Sequence, residues 1–133
     1  MTGEQLLAAR LTGRLKRDFG LTAAQFEALV VLRQTSRATL PMARLGAHLL
    51  YSTGSASHLV DRLAERGLVA RQGSSDDGRR VEVGLTAAGR ALIDRALATH
   101  YDDLDALFSP LVDDDELEVL AAFAQRLLRA ARD

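Results

Sequence analysis

The 133-residue chain contains no cysteine, so it forms no disulfide, holds no metal through thiolates and senses no oxidant through a thiol. It has no apolar run of about 18 residues, the length a membrane-spanning helix requires. Its first residues, MTGEQLLAARL, carry an acid early and lack the apolar core of a signal peptide. A cytoplasmic location with no membrane partner is therefore expected. The three histidines, at 48, 58 and 100, form no H-x-x-x-H pair. Ser52-Thr-Gly-Ser has neither a G-x-S-x-G elbow nor a partnered base, and GSSDDG (73–78) lacks the lysine of a phosphate loop. The acids at 113–116 are adjacent, as at a helix start, not spaced as a catalytic pair. Zinc bound by His48, His100 and a carboxylate is the nearest approach to a metal site, and isolated histidines are more often surface or core residues. No catalytic residue, metal or cofactor is expected. There are no repeats or low-complexity tracts, and the length fits one domain, or one domain with a helical extension.

The chain carries a net charge of −1, unevenly spread. Residues 1–36 hold five basic and three acidic groups, 37–90 hold eight and five, and 91–133 hold four and ten. The middle of the chain is thus the basic part and the C-terminal third the acidic part. Such an arrangement suits local phosphate binding with the far end repelled, and it also fits an ordinary solvated surface.

The basic middle has a readable pattern. Pro41 fits the first turn of a short helix whose inner face is Met42, Leu45 and Leu49. The turn Leu49-Leu50-Tyr51-Ser52 follows, with Leu50 where many helix-turn-helix units place glycine. From Ser52 to Arg66 a second helix is expected. Ala56, Leu59, Val60 and Leu63 fall at i, i+3, i+4 and i+7, one apolar stripe. Gly54, Ser55, His58, Arg62 and Glu65 lie opposite, without a bulky apolar group. Ser52 is a natural N-cap. Gly67 supplies the left-handed residue that ends the helix, with Leu68 folding back on Leu63. Leu68–Arg71 and the alternating Arg80–Leu85 read as two strands joined by the loop QGSSDDG. Two strands behind a helix-turn-helix make a wing. In such units the second helix enters the major groove of DNA, and arginine at a wing tip reaches a narrow neighbouring groove.

Helices flank this unit. Residues 4–17 carry a seam at Leu7, Leu11 and Leu15. Leu21–Thr35 starts with a Thr22/Gln25 capping box, and Leu21 is placed to staple onto Phe26. Residues 33–39 are a polar connection. Thr86 caps a long helix over about 87–109, with Ile93, Leu97, Tyr101 (or His100), Leu104 and Phe108 along one side, and Pro110 stops it. Asp113 and Glu116 have capping-box spacing for a last helix striped by Leu117, Leu120, Ala121, Ala124, Leu127, Leu128 and Ala131. Terminal helices with surplus apolar seams are most simply buried in a two-fold dimer. The expected fold is mainly α with a small β-wing: a winged helix-turn-helix with N- and C-terminal dimerisation helices. The division is 1–20 for dimerisation, 21–86 for the reading head, and 87–133 for dimerisation, with Leu7, Leu11, Leu117, Leu120, Leu127 and Leu128 at the interface.

LVDRLAERGLV (59–69) followed by DDGRRVEVGLTAAGR (76–90) resembles the multiple-antibiotic-resistance regulator (MarR) family of bacterial transcription factors. The family's wing pattern, Asp-x-Arg, then five residues, then Leu-Thr, falls on Asp77, Arg79, Leu85 and Thr86. The flanking helices match in order, so the resemblance covers nearly the whole chain. It implies a dimer with one winged helix-turn-helix per subunit, often with a small-molecule or redox effector. It also implies that Arg79 probes the minor groove while Asp77 orients the wing.

The candidate DNA contacts are Ser52, Thr53, Gly54, Ser55, Ser57 and His58 on the second helix, Arg44 on the first, and Arg62, Arg71, Arg79 and Arg80. Ser55, Ser57 and His58 are placed for base edges, with Ser57 partly turned toward the core. His58 makes binding pH-sensitive in this reading. Arg71, Arg80 and Arg44 are phosphate candidates. Arg62 has three readings: a phosphate clamp, a pair with Glu65, or a bond to Asp77. Asp61 reads as structural, because phosphate repels a carboxylate. By family analogy, a pocket for a small apolar or phenolic effector involves Phe19, Phe26, His48 and Tyr101, residues equally suited to a core. The functional expectation is a homodimeric, sequence-specific regulator of double-stranded DNA, a repressor on a palindrome. Its rivals are a winged-helix protein-interaction module that reads no DNA, and a ligand-binding dimer with vestigial heads.

Overall fold

Reciprocal side-chain caps start the first two helices of the chain. Thr22 N–H donates to Gln25 Oε1 at 3.0 Å, and Gln25 N–H donates to Thr22 Oγ1 at 3.2 Å. The box explains why Gln25 is buried, since its amide is spent on the backbone. Thr2 and Gln5 make the same box one helix earlier, a pair outside the sequence-based expectations. The computed structural model describes residues 2–73 and 80–132. Over these the order is α1 (Gly3–Phe19), α2 (Ala23–Gln34), β1 (Leu40–Pro41), α3 (Met42–Leu49), α4 (Thr53–Glu65), β2 (Val69–Gly73), β3 (Val81–Leu85), α5 (Ala87–Phe108) and α6 (Asp114–Arg132). The expected architecture, mainly helical with a small β-wing, is the one observed.

The core lies where α2, α3, α4 and the first half of α5 converge. Leu21, Leu29, Leu45, Val60, Leu63, Val83 and Ile93 are its fully buried large side chains. Met42, Leu45 and Leu49 face inward from α3 as the pattern predicts, and Ala56, Leu59, Val60 and Leu63 do so from α4. α4 ends as expected. Gly67 takes φ 71°, its N–H donates to Ala64 O at 2.9 Å, and Leu68 N–H donates to Leu63 O at 3.0 Å. These are the two bonds of a glycine-terminated helix, with Leu63 and Leu68 buried behind them.

The sheet corrects the two-strand expectation. Its order is β1-β3-β2, all antiparallel. Leu40 and Pro41 pair with Val83 and Glu82, so Pro41 is an edge-strand residue and the N-cap of α3, not a member of its first turn. Proline is tolerated on such an edge because its missing N–H faces away from the ladder. β2 runs two residues beyond the expected Arg71, from Val69 opposite Leu85 to Gly73 opposite Val81. Alternation in β3 breaks at Gly84, which is buried beside Val83. A Cβ there would stand 2.8 Å from Ala38 O, so glycine lets the chain before β1 lie on β3.

The chain divides into two compact units between His100 and Tyr101. In the first, Gly89, Ile93 and Ala96 of α5 are buried, and Arg33 of α2 pairs with Asp94 of α5 at 2.7 Å. In the second, α5 ends two residues before Pro110. The Asp113/Glu116 box then opens α6, with bonds of 3.2 and 2.8 Å. Along α6, Leu117, Leu120, Phe123, Leu127 and Leu128 are all more than half exposed. No helix among the described residues is long and apolar enough to cross a membrane.

Gly89 is the tightest steric constraint in the first unit, since a Cβ would overlap the carbonyl of Leu68. Gly89→Ala is expected to cost about 2 kcal/mol, the scale of overpacking a filled site. Thermal unfolding followed by circular dichroism checks this, and an unchanged melting temperature would contradict it.

Candidate nucleic-acid interface

The stripe that buries one side of α4 leaves the other facing solvent. Thr53, Gly54, Ser55, His58, Asp61, Arg62 and Glu65 are all exposed. Among the described residues nothing lies within 4 Å of a Cβ placed on Gly54, so no contact with them requires glycine there. Ser52 caps the helix, accepting from Ser55 N–H at 3.2 Å and donating to Ser55 Oγ at 3.0 Å. The Ser52 hydroxyl is therefore engaged in the cap, and Thr53, Gly54 and His58 present the open part of the face. Arg62 bonds within its own helix to a residue outside its three readings: Nε–H donates to His58 Nε2 at 3.4 Å, while Asp77 lies outside the described residues. The bond needs a neutral imidazole with its proton on Nδ1.

Arg71, expected among the phosphate contacts, is engaged within the fold. From β2 its guanidinium forms an ion pair with Asp61 and donates to Ser57 O at 2.9 Å and Ser57 Oγ at 3.1 Å. It thus ties the wing to α4. It accounts for the half-buried Ser57, which faces the wing, and for Asp61, which has a structural partner as expected. Arg80, exposed just before β3, and Arg44, exposed on α3, stay outward. A hollow of about 400 Å³ runs between the starts of α3, α4 and β3, with Thr53, Ser57, Arg71 and Arg80 in its wall. Asp77 and Arg79, the expected wing-tip pair, lie outside the described residues.

The turn between α3 and α4 departs from generic helix-turn-helix chemistry. Leu50 takes the left-handed conformation (φ 57°, ψ 36°) and is 92% exposed. A leucine there costs roughly 1–2 kcal/mol against the right-handed region. The glycine of the motif is displaced to Gly46 in α3, where a Cβ would stand 3.2 Å from Tyr51 O and 3.3 Å from Ala56 Cβ. Tyr51 N–H donates to Gly46 O at 2.8 Å and closes the turn.

Two further residues set the pose of α4. Thr86 caps α5, accepting from Gly89 N–H at 3.0 Å as its position predicts, and it also donates to Gly67 O at 2.6 Å. This links the end of α4 to the start of α5. Arg66, absent from the expected set, donates to Phe19 O and Gly20 O, each at 3.0 Å. Its position beside a helix-ending glycine was the available signal.

The expected effector residues are only partly brought together. Phe26 and His48 line one hollow of about 390 Å³ with Val30, Val31, Leu49 and Leu50. Phe19 is half-buried against the core and is not in that wall. Tyr101 belongs to the second unit, with its side chain exposed. The ring that meets Phe26 is that of His100, centroids 5.1 Å apart.

Similarity to known proteins extends over most of the chain. A model of the MarR family matches residues 19–80, from the end of α1 to the start of β3. The HTH-type transcriptional regulator MhqR of Bacillus subtilis is 26% identical over 108 residues, 81% of this chain and 72% of its own length. A probable transcriptional regulator from Pseudomonas aeruginosa, solved by crystallography, is 32% identical with a TM-score of 0.72, covering 96% of each chain. The apo crystal structure of MarR from E. coli is 27% identical with a TM-score of 0.80, over 94% of this chain and 90% of that one.

Arg71→Ala removes the side-chain tie between wing and α4. For a partly exposed pair the expected cost is about 1 kcal/mol, with faster amide exchange at Gln72 and Glu82. Unchanged exchange in β2 and β3 would show that the strands hold their place without it.

Proposed function

The chain belongs to the MarR family of transcriptional regulators, and from that premise we propose that this DNA-binding regulator acts as a homodimeric repressor on a palindromic operator. The observation that carries the reading is the outer side of α4. It is exposed, it starts with small and polar side chains, and its glycine answers to no neighbour among the described residues. A surface that must approach closely supplies the missing reason for Gly54. In this reading Thr53, Gly54, Ser55 and His58 enter the major groove. Arg44 and Arg80 hold phosphates, while Ser52, Ser57, Asp61 and Arg71 keep helix and wing in position. Arg62 steadies His58. Arg79 and Asp77 serve the wing as the family resemblance implies.

Dimerisation in this reading uses exposed Leu7 and half-buried Leu11 of α1, with the exposed Leu117, Leu120, Leu127 and Leu128 of α6. Stripes this apolar and this exposed call for a partner, and a second copy is the simplest one. A small apolar or phenolic effector, entering the hollow beside Phe26 and His48, would lower affinity by changing the spacing of the two heads. The chain performs no catalytic step in this account.

Selection of random duplexes by the purified protein at near-physiological salt tests the function. The expected product is an inverted repeat with half-site centres about 10 bp apart, with affinity falling steeply as salt rises. Against that duplex, Gly54→Ala is expected to bind several-fold more weakly while keeping its fold, since alanine gains roughly 0.5 kcal/mol in a helix. No enriched sequence, from folded dimeric protein, would favour a protein-interaction module. Full affinity in the alanine variant would remove α4's close approach from the account.

A further inference from the structure

α1 is attached to the reading head at one end. Among the described residues Leu15 is its one buried side chain, and Phe19 is half-buried against the core. Toward its start Leu6 and Leu7 are exposed. A helix of 17 residues is about 25 Å long, and its apolar contacts with the core, Leu15 and Phe19, both lie toward its C-terminal end. Anchors confined to one end leave the angle of the rest weakly held. A further, polar attachment at that end is Arg66. It is the C-cap of α4, and its guanidinium holds the carbonyls of Phe19 and Gly20, where α1 ends. Gly20 stands at φ 66°, and a Cβ there would lie 3.5 Å from the guanidinium. Helix C-termini carry partial negative charge. Arg66 places one cation between the ends of two helices that would otherwise repel.

We infer that Arg66 is a positioning residue for operator recognition: it locks the angle between α1 and α4, so that the spacing of the two heads is set by the dimer helices. The inference rests on the paired-head reading above. The bond is poorly suited to a purely stabilising role, because Arg66 is exposed and the two carbonyls would find water without it. Its removal frees an angle more than it costs folding energy. Any change in α1's pose, including one an effector brings about, would reach α4 through this contact.

The test uses the full chain and its selected inverted repeat, with the spacer lengthened or shortened by one and two base pairs, and an isolated half-site. Each added pair rotates one half-site by roughly 35°. Wild-type protein is expected to lose about tenfold in affinity or more on a two-base-pair change. Arg66→Met and Arg66→Gln are expected to lose no more than about threefold on the same change, with half-site affinity within twofold of wild type. If the methionine variant fails to fold, the glutamine variant decides. A folded variant that discriminates spacers as wild type does overturns the inference. A wild type indifferent to spacer, or as tight on the half-site as on the repeat, overturns the paired-head reading and takes this inference with it.

Discussion

Ala56, Leu59, Val60 and Leu63 bury one side of α4, and nearly every other feature of the reading head is arranged around that burial. The stripe needs α3 close by, and Gly46 permits the approach by leaving room for the Ala56 methyl and the Tyr51 carbonyl. It needs the chain to reverse sharply behind Leu63, which Gly67 does through its left-handed backbone. It needs α5 to start beside that reversal, and Gly89 and Thr86 bring α5 onto Leu68 and Gly67. With one side held so closely, the other side is presented at a defined angle. A recognition surface requires that order: a rigid element first, then side chains with freedom to meet a partner.

The polar contacts then divide in two. Arg71, Asp61 and Ser57 join wing to helix, Arg66 joins α4 to α1, and Thr86 joins α4 to α5. These groups spend their hydrogen bonds inside the fold. Thr53, Gly54, His58, Arg44 and Arg80 remain exposed on the surface. A chain with net charge −1 binds a polyanion only if its cations are placed well. With Arg66 and Arg71 bonded inside the head, the cations that the proposed reading leaves for phosphate include exposed Arg44 and Arg80.

Much of this was legible in the sequence because it follows periodicity or short-range chemistry. The α4 stripe, the Thr22/Gln25 and Asp113/Glu116 boxes, the Gly67 ending and the Thr86 cap each involve residues within a few positions of one another. What escaped involves residues far apart in sequence. The Arg66 bonds to Phe19 and Gly20 span 47 and 46 positions. The commitment of Arg71 to α4 depends on a strand returning beside a helix. β1 is two residues long, too short for a period, and its proline reads more naturally as a helix start. Leu50 occupies a left-handed turn position usually held by glycine, and nothing in the structure explains the choice of leucine there. The outer side of α4 was legible as a surface by its lack of bulky apolar groups, whereas which polar residues the fold consumes became visible only with the wing in place.

In the proposed function the outer side of α4 lies in the major groove. Because the chain has no cysteine, a single thiol introduced by His58→Cys can carry a photoactivated crosslinker, with Leu127→Cys on α6 as the comparison. On the selected duplex the account predicts adducts from position 58 on major-groove base atoms in each half-site, and none from position 127. Adducts from position 127 alone, or a position 58 probe that meets only solvent in a fully bound complex, would contradict it.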